Sequence, residues 1–303
     1  MSAVAFHPIE VALTTGVRGV EARPGVLLEG PGGWGEWSPV PGFPCDPVLA
    51  LQAALEAARG DWPNPVRAAI PVNALIGDAF DPVRDAERLA GYSCVKVKVG
   101  DLGDVERVAA VREVVGPNVR VRIDANGRWD TETAQRRLAL MAPYDIECAE
   151  QPAPTLEDLA FLRRHTDIPI VADECIRSEA DCDRLRALDA ADAVALKVQA
   201  CGGVHAALRW AERAGVPVIV TSMLETSVGL AAGVALAAAL PELPFACGLG
   251  TGALLARDVT REPLVAVDGV LAVRTPIVDA DLVAACATDS VPAAFASAQE
   301  AMA

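Results

Sequence analysis

From about residue 66 onward, short runs rich in β-branched residues alternate with stretches of helical periodicity, which leaves few folds open to the chain. Eight runs read as strands: "RAAIPVNALI", "SCVKVKVG", "VRVRIDAN", "DIECAEQP", "IPIVADE", "AVALKVQ", "PVIVTSML" and "FACGLG". Seven helical stretches separate them, and strands joined by helical crossovers make a parallel sheet. No run looks like a protected edge, so the sheet is expected to close on itself. The expected fold class is α/β, a (β/α)7β barrel of the TIM type over residues 66–274. Residues 1–65 differ. They are rich in Gly and Pro around "EGPGGWGEWSPVPGFP", with a strand at "GVLLEG" and a helix at "DPVLALQAALEAARG", and they read as a small α+β capping domain. The Ala-rich segment 275–303 either returns to that layer or frays.

Composition narrows the partners. Twenty-six Lys and Arg against 41 Asp and Glu give a net charge of −15, which argues against a nucleic-acid partner or an anionic membrane. The eight cysteines are scattered, with no CxxC pair or clustered ligand spacing, as expected in a reducing compartment. No basic segment followed by an apolar one opens the chain, and no apolar run is long enough to span a bilayer. A cytoplasmic location is the expectation.

In barrels of this type the active site lies at the C-terminal ends of the strands. The polar residues at those ends are Lys98, Asp124, Glu150, Asp173 and Lys197, at intervals of 26, 26, 23 and 24 residues. One strand-helix unit takes about that length, so the five side chains are expected to converge on one mouth. Ser222 and Gly248 continue the series at 25 and 26 residues. Three carboxylates on adjacent strands repel one another unless a cation lies between them. Oxygen donors without nearby His or Cys suit Mg2+ better than Zn2+, so Asp124, Glu150 and Asp173 are assigned to a magnesium site, with a substrate carboxylate in the remaining coordination positions.

Strand alternation puts Lys96 and Lys98 on the inward face, and Lys197 on the opposite side of the barrel. Burial and like charge are expected to lower a lysine pKa towards a usable base. Two lysine faces around one metal suit removal of a proton from the carbon beside a carboxylate. Neighbours read differently. Asn126, Asp130 and Glu174 are expected to be loop residues around the site, Glu147 to face helices or a loop, Arg120 and Arg122 to be ion-paired barrel filling, and Arg18 to face water.

The strand "KVK", then "DAN", "EQP", "DE" and "LKV" at these intervals resemble the enolase superfamily, in its muconate-lactonizing-enzyme group, across nearly the whole chain. Within that group, "GWGEWSPVPGFP" and "TSMLETSVGLAAGVALAAAL" look like the o-succinylbenzoate synthases. The resemblance implies a hydro-lyase of menaquinone biosynthesis that dehydrates 2-succinyl-6-hydroxy-2,4-cyclohexadiene-1-carboxylate. It implies that Lys98 is the general base and then the acid towards the leaving hydroxyl, and that Lys96 tunes Lys98 and holds the enediolate. It implies that Lys197 faces the ring of the intermediate, and that Ser222, Gly248 and Gly250 line the succinyl end. An N-acylamino-acid racemase needs the same five residues, with Lys98 and Lys197 as opposed bases. A muconate cycloisomerase and a non-catalytic barrel fit less well.

Overall fold

The computed structural model describes residues 4–77 and 79–302. The N-terminal layer is an antiparallel sheet of β1 (Ala5–Val17), β2 (Val20–Gly30) and β3 (Gly33–Trp37), followed by α1 (Pro47–Arg59). Asp46 starts α1 by accepting from the Val48 N–H, and Pro47 fills the first helical position, where no N–H is needed. Gly60 ends the helix in the left-handed region at φ 72. The alanine face of α1, Ala50, Ala54 and Ala58, lies against Val26, Leu28 and Trp37 of the sheet. Small side chains there let helix and sheet approach closely. A Cβ on Gly35 would fall 1.9 Å from the Ala54 carbonyl oxygen. Gly35→Ala must therefore push β3 and α1 apart and is expected to cost about 1–3 kcal/mol, read from the urea unfolding midpoint. An unchanged midpoint would show that the two elements separate freely.

The next part of the chain runs β4 (Ala69–Pro71), β5 (Ala74–Ile76), α2 (Pro82–Leu89), β6 (Cys94–Lys98), α3 (Asp104–Val115), β7 (Arg120–Asp124), α4 (Thr131–Met141) and β8 (Ile146–Glu150). It continues through α5 (Leu156–Arg163), β9 (Ile170–Ala172), α6 (Glu179–Leu188), β10 (Ala193–Leu196), α7 (Val198–Cys201), α8 (Val204–Ala214), β11 (Val218–Val220) and α9 (Ser227–Ala239). Strands β5 to β11 form one parallel sheet in sequential order, as the alternation of strand and helix predicts. Two details differ from the sequence reading. "RAAIPVNALI" divides in two: β4 pairs antiparallel with β12 (Val270–Ala272), and only β5 joins the barrel. "FACGLG" forms no extended strand but closes the barrel through bridges from Cys247 to Val72 and from Gly248 to Thr221. The Asn73 N–H donates to the Cys247 carbonyl at 2.9 Å, and the Gly248 N–H to that of Val220 at 2.8 Å.

The C-terminal segment returns to the first layer. Helix α10 (Ala280–Cys286) packs on β1, and α11 (Ala293–Met302) packs on α1, where Phe295 sets its ring edge-on to Phe6 and Trp37 at 5.7 and 5.2 Å. The N-terminal layer also grips the barrel. Glu56 of α1 accepts from the backbone N–H groups of Val204 and His205 at the start of α8, at 2.5 and 3.2 Å. Among the described residues no helix is long and apolar enough to cross a membrane.

Candidate active site

The register of the barrel sets the carboxylates side by side. Lys98 pairs with Asp124 across β6 and β7, and Asp124 with Glu150 across β7 and β8, so three strand ends lie level. Asp173 and Lys197 each follow the last residue of their strand, β9 and β10. The Asp173 N–H donates to the buried Gln151 side-chain oxygen at 2.7 Å, which ties the third carboxylate to the strand end that carries Glu150.

These groups meet in one ion-pair cluster. Lys96 Nζ lies 2.8 Å from Asp124 Oδ2 and 2.7 Å from Glu150 Oε1. Lys98 Nζ donates to Asp124 Oδ2 at 2.6 Å and to Asn126 Oδ1 at 3.0 Å. Lys197 Nζ holds both oxygens of Asp173, at 2.5 and 2.6 Å, and sits 4.2 Å from the centre of the Phe43 ring, which comes from the capping layer. Above the cluster is a cavity of about 330 Å³, walled by both layers. Lys96, Lys98, Asp124, Asp173, Lys197, Ser222, Gly248 and Gly250 all line it. Glu150 lies deeper, reached through Lys96. Ser222 is bonded to the Thr251 hydroxyl at 2.8 Å, and a Cβ on Gly250 would fall 2.8 Å from the Asn73 carbonyl oxygen.

The electrostatics correct one expectation. Burial alone pulls the Lys96 pKa down, but Asp124, Glu150 and Asp173 outweigh it and hold the group above the ordinary lysine range. Lys197 is also raised: burial opposes its charge, and Asp173 and Glu174 prevail. For Lys96 and Lys197, contact with carboxylates outweighs the like charge between the lysines. Burial opposes the Asp124 charge too, but Lys96 and Lys98 overcome it and hold that carboxyl well below the usual range. Glu150 is pushed up to about 7 by burial, against Lys96 and with help from Asp124 and Asp173. Burial likewise raises Asp173, against Lys197.

Asn126 and Glu174 are turn residues around the site, as expected, whereas Arg18 and Glu147 fall elsewhere than expected. Asn126 has a left-handed backbone, φ 49, which turns its amide back over the strand end towards Lys98. Glu174 follows β9 in a turn and lines the cavity, accepting from Asn126 Nδ2 at 2.7 Å. Arg18 donates to Asn126 Oδ1 at 3.3 Å and to the Val99 carbonyl instead of facing water. Glu147 is the extra residue of a β-bulge, since Val121 pairs with Ile146 and Arg122 with Cys148; it reaches the buried Arg122 and the half-exposed Arg120. The two arginines are ion-paired as expected, with Arg122 filling the barrel beneath the site. Phe43, Asn73 and Thr251 also line the cavity, and only the second layer or a chain reversal brings them there.

Among the described residues no three His, Cys, Asp or Glu side chains stand together as a metal cage, because lysine ammonium groups lie between the carboxylates. The donors nonetheless fit a hard divalent cation. They are all oxygen, buried and crowded with negative charge, and Glu174 Oε2 is buried without a hydrogen-bond partner.

Comparison with known proteins identifies the family and the fold. Residues 81–276 match the enolase C-terminal domain-like family and residues 9–58 the enolase N-terminal domain-like family. The o-succinylbenzoate synthase of Thermobifida fusca is 51% identical over 272 residues, covering 87% of this chain and 86% of that one. The chain belongs to the o-succinylbenzoate synthase family of the enolase superfamily. The o-succinylbenzoate synthase of Mycobacterium marinum is 43% identical, covering 90% of this chain and 85% of that one. The muconate lactonizing enzyme of Pseudomonas fluorescens shares the fold at a TM-score of 0.82 and 22% identity, over 95% of this chain and 99% of that one. Members of the synthase family are hydro-lyases, and this chain is one of them.

Proposed function

We propose that the cluster dehydrates 2-succinyl-6-hydroxy-2,4-cyclohexadiene-1-carboxylate to o-succinylbenzoate, with Lys98 as the proton carrier. The observation that carries this reading is the convergence of Lys96, Lys98 and Lys197 with Asp124 and Asp173 on one cavity, in a chain 51% identical to an o-succinylbenzoate synthase. Lys98 takes the proton from the carbon beside the substrate carboxylate, and the electron pair moves into that carboxylate. Lys96 neutralises the growing charge from below. The returning pair expels the ring hydroxyl, which accepts the proton from Lys98 and leaves as water. The ring becomes aromatic, so loss of water is strongly downhill.

Asp124, Glu150 and Asp173 hold Mg2+ in this reading. When bound, it supplies fixed positive charge beside the substrate carboxylate. Lys197, opposite Lys98, sets its ammonium against the ring face, as it already does with Phe43. Ser222, Gly248 and Gly250 offer hydroxyl and backbone groups to the succinyl end.

The test is direct assay with the cyclohexadiene substrate, followed by chelation. EDTA is expected to abolish turnover and Mg2+ to restore it. Asp173→Asn removes charge from the carboxylate paired with Lys197, so it is expected to raise the Mg2+ concentration for half-maximal activity by at least about tenfold. Full turnover in EDTA would overturn the metal assignment.

A further inference from the structure

We infer that Asn126 is a positioning residue for Lys98, its amide oriented by Glu174 from β9's end and by Arg18 from the capping layer. The inference rests on the reading of Lys98 as the base. A side-chain amide has one accepting end and one donating end. On one side of Asn126 stand two groups that only donate, the Lys98 ammonium at 3.0 Å and the Arg18 guanidinium at 3.3 Å from Oδ1. On the other side stands the Glu174 carboxylate, which accepts from Nδ2 at 2.7 Å. Reversing the amide would turn its NH2 on two cations and its oxygen on a carboxylate. The orientation is therefore unique.

This matters for proton transfer. Lys98 Nζ has three N–H positions as an ammonium. Two are directed, to Asp124 Oδ2 at 2.6 Å and to Asn126 Oδ1. When Lys98 is a neutral amine, these two acceptors keep its two hydrogens, and the lone pair must occupy the third position, towards the cavity. Without Asn126, only Asp124 directs the nitrogen, and rotation about the last side-chain bond carries the lone pair away from the substrate. Arg18 ties this arrangement to the tip of the β1–β2 hairpin, since it also donates to the Val99 carbonyl just beyond β6.

The experiment is steady-state kinetics at saturating Mg2+ on Asn126→Leu, Glu174→Met, Glu174→Gln and the double variant Asn126→Leu/Glu174→Met, with Lys98→Ala as control. Misdirecting the base by this much is expected to lower kcat of Asn126→Leu about 100-fold while KM stays within about threefold. Glu174→Met is expected to lose about tenfold in kcat, and Glu174→Gln, which still accepts from Asn126, to fall between it and wild type. The double variant is expected to be no worse than Asn126→Leu, because Glu174 reaches the Lys98 amine through Asn126.

A loss under about threefold in kcat for a folded Asn126→Leu would overturn the inference, as would additive losses in the double variant. So would recovery of kcat when Mg2+ is raised beyond the concentration that saturates the wild type, which would make these residues cation ligands instead. If Asn126→Leu does not fold, Glu174→Met decides the matter by the same threefold limit. Wild-type turnover by Lys98→Ala would sink the base reading itself. An inactive Lys98→Ala beside a fully active Asn126→Leu would sink only this inference.

Discussion

Lys98→Ala is expected to lower kcat for dehydration by about 10³- to 10⁴-fold and to leave the fold intact. The activity loss is the upper range for removing a positioned general base. The intact fold follows from the cluster's redundancy. Asp124 keeps Lys96 at 2.8 Å, and its backbone pairing with β6 and β8 does not involve the lysine side chain. The buried carboxylate is therefore not left unpaired, which is the usual route to unfolding in such variants. Circular dichroism and a urea midpoint near wild type check the second half of the expectation. Solvent deuterium exchange at the carbon beside the substrate carboxylate checks the first more closely than turnover does: the variant should neither exchange nor dehydrate. Wild-type turnover from purified Lys98→Ala would overturn the assignment. If the variant failed to dehydrate the cyclohexadiene substrate yet exchanged one enantiomer of an N-succinyl amino acid, Lys197 would be acting as a base, as a racemase requires.

The parts of this site that could be read from sequence are those that depend on strand periodicity. Lys98, Asp124 and Glu150 pair across neighbouring strands in register, so equal spacing along the chain became equal height in the barrel. Lys197 and Asp173 kept the rhythm although each lies one residue past its strand. The rest depended on places where periodicity stops. Asn126 sits at φ 49 before a glycine at φ 67, and alternation says nothing about a left-handed turn. The pair Asn-Gly in "DANG" is the one signal that could have marked it. Glu174 is the turn residue expected, because β9 ends at Ala172, but strand periodicity gave no sign that it would meet Asn126. Glu147 was misplaced by a bulge, since one inserted residue reverses the face of what lies before it. Arg18 and Phe43 reach the mouth from the other layer, and spacing within the barrel carries no information about them. The shifts of Lys96 and Lys197 were misread for a related reason: sequence shows that charges converge, but the sign of a shift depends on which group is in contact.

Glu36→Leu is expected to destabilise the protein by about 3–5 kcal/mol, the largest single effect on stability that the contacts between the layers predict. Glu36 lies on β3 and is buried at the joint between cap and barrel. Its carboxylate accepts from the Thr226 hydroxyl at 2.5 Å, from the Thr226 and Gly229 N–H groups at 3.1 and 3.0 Å, and from the Ser38 hydroxyl at 2.7 Å. Thr226 and Gly229 belong to the first turn of α9, where no carbonyl of the helix is available to those N–H groups. Leucine fills similar volume but leaves these donors buried and unpaired, and each such group costs about 1–3 kcal/mol. Glutamine is the informative contrast. Its oxygen can take the place of the oxygen facing Thr226 and Gly229, and its NH2 can donate to the Ser38 hydroxyl, so Glu36→Gln is expected to cost less than about 1 kcal/mol. Burial also raises the Glu36 pKa against these hydrogen bonds, so a neutral side chain suits the site. Chemical denaturation of the two variants distinguishes lost hydrogen bonds from lost charge. Equal losses for Gln and Leu would mean that the charge itself holds the joint. The segment leading into that turn carries Met223 and Leu224 into the cavity wall, and Leu224 is held there at φ 62 with its carbonyl accepting from Arg23 of the cap at 3.4 Å. A loosened joint therefore reaches the substrate as well as the fold, and Glu36→Leu should raise KM before it changes the chemistry at Lys98.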